Sequence, residues 1–204
     1  MAYGKFTLKD LKEKFNVNSK QLELFKDIKS VEKSEFLTSL LDRNLKMPLR
    51  TEKAKSELVL SPILLELSII NNYFFKIYSG ENLDVDKKAG LYGECDFLIT
   101  KNEDSYDFNL PIISVVEAKM DSIDKGIAQC SAQMVGINFF NQKNDTKLNI
   151  IYGCVTTVDE WKFLKLENNT IYIDKKTYYF NELEKVLGVF QYIIDFYKKQ
   201  FSEI

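Results

Sequence analysis

The chain has 204 residues, 45% hydrophobic and 28% charged, with a formal net charge of −2 and a pI of about 5.4. That is the make-up of a folded protein with one core of ordinary size, and it offers a polyanion no overall basic field. Histidine is absent, which excludes histidine-based nucleases, Ser-His-Asp and Cys-His hydrolases and most zinc enzymes, and leaves acid and lysine chemistry with a metal.

Cys95, Cys130 and Cys154 are odd in number and widely spaced, a pattern of buried free thiols rather than of bridges or a zinc site. The most apolar stretches are too short to cross a bilayer and the N-terminus carries no secretory pattern, so a cytoplasmic protein without a membrane partner is expected.

Residues 1–50 read as helices joined by short turns. Thr7 is an N-cap candidate for a helix over 8–15, and 21–29 and 34–45 repeat the helical spacing. This stretch is expected to be a helical cap on a compact domain spanning 51–204, with a partner-binding or dimerising arm as the weaker alternative. Met47-Pro48-Leu49-Arg50 breaks the run, and Thr51 opens a long helix through Leu67 that Pro62 should kink or divide. Three glutamates lie on it: Glu52, Glu57 and Glu66. At about 100° per residue Glu52 and Glu57 sit roughly 140° apart, so both cannot face one site. Glu57, beside Ala54, Leu58 and Ser61 near the buried stripe, is favoured over Glu52 and Glu66; for each the competing reading is a solvated helix glutamate. Residues 73–80 read as the first strand, with core aromatics, and 80–86 as a turn or short strand.

The central stretch is 93–119. Gly93-Glu94-Cys95-Asp96-Phe97-Leu98-Ile99 reads as an apolar strand with a carboxylate near its start, and Ile112-Ile113-Ser114-Val115-Val116 as a second strand running into Glu117-Ala118-Lys119. Side chains alternate along a strand, so Glu117 and Lys119 share a face about 7 Å apart. A hairpin brings Asp96 alongside Glu117. Two adjacent carboxylates repel, and a divalent cation between them resolves the repulsion; oxygen ligands of this kind suit magnesium or manganese. The loop over 101–109 is acidic. Beyond Lys119 a helix over 127–141 places Gln129 and Gln133 on one face, with Ala128, Ala132 and Gly136 for close packing. Strands follow at 148–157 and 161–166, an edge strand or hairpin at 170–180, then an amphipathic helix from Asn181, with Trp161 in the core. The order predicts an α/β fold, a mixed sheet flanked by helices.

An acid at a strand start, a hairpin, acid-x-lysine at the end of the next strand and a glutamine-bearing helix resembles the PD-(D/E)xK nucleases, the restriction-endonuclease-like superfamily, with Cys95 where a proline often precedes the aspartate. The resemblance covers 51–166, and the whole chain also resembles a group of bacterial proteins with such a core, which adds little about substrate. It implies a restriction-endonuclease-like core and a magnesium- or manganese-dependent hydrolase of phosphodiesters, with DNA the expected partner and homodimerisation left open. The implied metal ligands are Asp96 and Glu117. Lys119 would act on the attacking water or the phosphate, Gln129 first and Gln133 second would support the site or contact substrate, and a helix acid, Glu57 by preference, would approach the metal. The alternative is a nuclease-fold binding or regulatory protein without turnover.

Overall fold

The computed structural model describes residues 2–103, 105–120 and 122–202. The chain runs through α1 (Leu8–Phe15), β1 (Asn18–Leu22), α2 (Glu35–Asn44), α3 (Glu52–Lys55), a π-helical turn (Ser56–Leu60), α4 (Ser61–Ile70), β2 (Phe75–Asn82), β3 (Glu94–Lys101), β4 (Ile112–Ala118), α5 (Ile123–Lys143), β5 (Ile150–Thr156), β6 (Glu160–Glu167), β7 (Thr170–Asp174), β8 (Tyr178–Tyr179) and α6 (Leu183–Ser202). Among the described residues eight strands form one mixed sheet in the order β1-β7-β6-β5-β4-β3-β2, with β8 also paired to β6. The fold is α/β. β1 with β7 and β4 with β5 are parallel; the other neighbours are antiparallel. Among the described residues no helix is long and apolar enough to cross a membrane.

Every residue of β4 is buried, as a strand covered on both faces requires. Parallel β4 and β5 need a crossover, and α5 supplies it. Alternation then sorts the two faces. Gly153 meets Met134 and Cys130 of α5, whereas Tyr152 turns the other way, towards Phe196 and Tyr197 of α6 and the ring of Phe25. α5 therefore covers one face and α6 the other. Asn141, near the end of α5, exchanges two hydrogen bonds with the backbone of Ile112, fixing the start of β4 from the helix that follows it. Trp161 is fully buried against Phe190, and the three cysteines are buried free thiols, both as expected.

Two expectations need correction. The 21–29 stretch is not helical, and residues 1–50 are not simply a helical cap. Asn18–Leu22 joins the sheet beside β7, and Leu24 N–H donates to Asp174 while Lys175 N–H donates to the Leu22 carbonyl. These bonds reach across some 150 residues, so tertiary pairing overrides a local helical spacing that Asp27, at φ 52, also interrupts. Pro62, in turn, lies in the first turn of α4, where a missing N–H is tolerated. The Leu58 carbonyl four residues earlier accepts instead from the Asn44 side-chain amide at 2.7 Å.

Gly188 marks the closest approach of α6 to the 26–31 segment: a Cβ there would lie 2.2 Å from the Lys29 carbonyl oxygen. Gly188→Ala is expected to lower stability by about 1–3 kcal/mol through overpacking. The measurement is the urea midpoint at unchanged slope, and an unshifted midpoint would contradict the contact.

Candidate active site

β3 and β4 form the expected hairpin. Phe97 pairs with Val116, and continuing that register by one residue sets Asp96 opposite Glu117, so the two side chains share the face that α5 covers. Asp96 Oδ2 accepts from the Ala118 N–H at 2.7 Å, while among the described residues Oδ1 accepts no hydrogen bond. Glu117 is 2% exposed. Its Oε1 accepts from Lys119 Nζ at 2.7 Å and from Gln129 Nε2, and its Oε2 accepts from Gln133 Nε2 at 2.7 Å. Asp96, Glu117, Lys119, Gln129 and Gln133 are thus brought to one place by two strand ends and the start of α5.

Gln133 is fully buried and grips Glu117 rather than lying on a polar helix face in water. Gly126, one helical turn before Gln129 and two before Gln133, lets α5 close onto the sheet: a Cβ there would meet Val155 at 2.3 Å and Lys119 at 3.0 Å. Alanine or larger at this position would push the helix, and with it both amides, away from Glu117.

Among the helix acids, the structure sets Glu52 beside the cluster and Glu57 outside it. Glu52 Oε1 accepts from Met120 N–H at 3.2 Å and lies 3.9 Å from Lys119 Nζ. Glu57 is 63% exposed at its side chain and lies 3.8 Å from Lys53. Glu66 is buried for another purpose: it accepts from Ser34 N–H and Oγ at 2.8 and 3.0 Å at the start of α2. The preference for Glu57 came from an unbroken α-helical count, and the π-helical turn at Ser56–Leu60 changes the phase of everything beyond Lys55. Lys55, which the sequence reading passed over, is 8% exposed and donates to the carbonyls of Met120 and Thr157. Its sequence signal is its place three residues after Glu52, on the same helical face.

The electrostatics follow from crowding. Burial, then the neighbouring Asp96 charge, push the Glu117 carboxyl up to about 7, against the opposing pull of Lys119 and Gln133. Burial also raises Asp96, opposed by the Ala118 N–H and Lys119 and reinforced by Glu52 and Glu94. For Lys119, burial works to discharge the amine, but Glu117, Glu52 and Asp96 outweigh it and hold its pKa above the usual lysine value. Two acids that resist ionisation beside a lysine that resists neutralisation form a cluster short of positive charge.

The donor set fits a hard divalent cation. Among the described residues no group of three or more His, Cys, Asp and Glu side chains is gathered to hold a metal, so the side chains that could hold one here are the Asp96 and Glu117 pair. Magnesium is commonly bound through one or two carboxylates and completes its shell with water and substrate oxygens. No family model, curated protein or solved structure matches this chain.

Proposed function

We propose that this chain is a metal-dependent nuclease that hydrolyses phosphodiester bonds, with DNA the first candidate substrate, on a restriction-endonuclease-like core. The observation that carries the reading is the convergence of Asp96, Glu117 and Lys119 in one largely buried cluster, with Glu117 oriented by two amides from α5. The β3–β4 hairpin and the β4–α5–β5 crossover support the core assignment. Magnesium or manganese held by Asp96 and Glu117 would polarise a phosphoryl oxygen and acidify a water.

The rest of the chemistry falls to the chain itself. Gln129 and Gln133 hold the Glu117 carboxylate in one rotamer, and the Ala118 N–H fixes Asp96, so both acids are set before substrate arrives. Lys119 carries its positive charge into a site of restricted solvent, where it can steady negative charge developing on the phosphate or orient the attacking water. Its ammonium has three N–H donors, so it can do so while still bonded to Glu117 Oε1, with the Glu52 carboxylate 3.9 Å away as a second acid beside it.

A binding or regulatory protein without turnover is the second reading, favoured by the net charge of −2. Incubation with plasmid, linear and single-stranded DNA and with RNA, each with Mg²⁺, Mn²⁺ or chelator, separates the two. Cleavage that chelator stops is the expected result; binding without cleavage under any metal would favour the alternative.

A further inference from the structure

Lys55 is a buried lysine for which the proposed chemistry has no use. Its Nζ donates to the Met120 and Thr157 carbonyls, both at 2.9 Å. Glu52, on the same helical turn, accepts the Met120 N–H at 3.2 Å. A single residue is thus held at both its amide and its carbonyl by two side chains three positions apart. On the other side of Lys119, Ala118 N–H is held by Asp96 at 2.7 Å, and Lys119 N–H itself donates to the Thr156 carbonyl at 2.8 Å. Four backbone groups across Ala118, Lys119 and Met120 are tethered, and the Lys119 side chain projects from the middle onto Glu117.

These tethers have different origins. Those to Asp96 and Thr156 come from the sheet, but β4 ends at Ala118 and the chain then turns towards α5. Past that point ladder pairing no longer restrains it. The restraint on Met120 comes from α3, and Lys55 also ties that turn to Thr157, just beyond the end of β5. Burying an ammonium costs solvation, offset among the described residues by the two carbonyl oxygens aimed at it.

We propose that Lys55 is a positioning residue, with Glu52 as the second jaw of a clamp on Met120 that holds the Lys119 ammonium at Glu117. Only its catalytic consequence rests on the nuclease reading; the clamp is a statement about the metal-free fold.

The test is Lys55→Met, close in volume and unable to donate, in the full chain. An ammonium held against a buried carboxylate exchanges its protons slowly, so Lys119 should give a proton–nitrogen NMR signal, assigned by its loss in Lys119→Arg. In Lys55→Met that signal is expected to broaden or vanish while the backbone amide spectrum stays dispersed. With substrate, kcat should fall about 10- to 100-fold with KM within about twofold, the signature of a displaced group rather than lost binding. A folded Lys55→Met protein with the Lys119 signal and kcat of the parent overturns the proposal. If that variant does not fold, Glu52→Ala carries the test: its side chain is 44% exposed and it frees the Met120 N–H, so an unchanged Lys119 signal there also overturns the clamp. Loss of the signal in a protein whose parent cuts no nucleic acid upholds the clamp and rejects the nuclease reading alone.

Discussion

Asp96→Asn and Lys119→Met are each expected to lower metal-dependent cleavage by about 10³-fold, the scale on which a single preorganised charge at a reacting centre is worth. Asp96→Asn keeps a side-chain oxygen for the Ala118 N–H and removes the negative charge, so the hairpin should stand while the cation loses half of its carboxylate pair. Lys119→Met keeps the bulk that packs against Gly126 and removes the ammonium. Its consequence for Glu117 is separate: among the described residues, without Lys119 the buried carboxylate retains two amide donors and loses its one cationic donor. Circular dichroism and the thermal midpoint establish that each variant is folded, and cleavage within tenfold of the parent by either would remove that residue from the chemistry. Glu57→Ala is expected to cut as the parent does, because its side chain points into solvent.

The metal-free protein is expected to lose stability as pH rises from about 4.5 to about 7, and divalent cation to restore it. In the unfolded chain a glutamate releases its proton near 4.5, whereas the folded chain holds the Glu117 proton up to about 7. Below 4.5 both states are protonated and Glu117 contributes nothing to the balance. Between the two values the unfolded state has shed a proton that the native state retains, so stability falls with pH, by about 3 kcal/mol once the native carboxyl has ionised. Asp96, also raised, adds a loss of the same sign. For a chain of this size that amounts to roughly 10 °C in thermal midpoint. A cation that binds the ionised pair stabilises the native state alone, so the gain on adding Mg²⁺ should be larger at pH 8 than at pH 5.5. Glu117→Gln should flatten both dependences. An equal fall across this pH range in Glu117→Gln would show that another group is responsible.

The central hairpin was legible because strand alternation needs only local information: two apolar runs, their ends and a face. The same alternation places Asp96, Glu117 and Lys119 together from the sequence alone. The glutamine helix was legible for a similar reason, although it begins four residues earlier than expected, at Ile123. Elements that depend on distant partners were not. Asn18–Leu22 is polar and exposed along most of its length, so nothing local marks it as a strand; Thr170–Asp174 makes it one. An unbroken α-helix favours Glu57 over Glu52, but the backbone widens to a π turn there, and that widening leaves no plain trace in Ser56-Glu57-Leu58-Val59-Leu60. The role of Lys55 is not legible locally, because a lysine on a helix ordinarily belongs to solvent and its two carbonyl partners lie 65 and 102 residues away.

Calorimetric titration of the metal-free chain with Mn²⁺ at pH 7, near the midpoint of Glu117, addresses the carboxylate pair itself, with no assumption about substrate. Uptake of one ion per chain, with release of protons to the buffer and loss of binding in Asp96→Asn, is the predicted result. Absence of binding, or binding of equal strength in Asp96→Asn, would contradict the account.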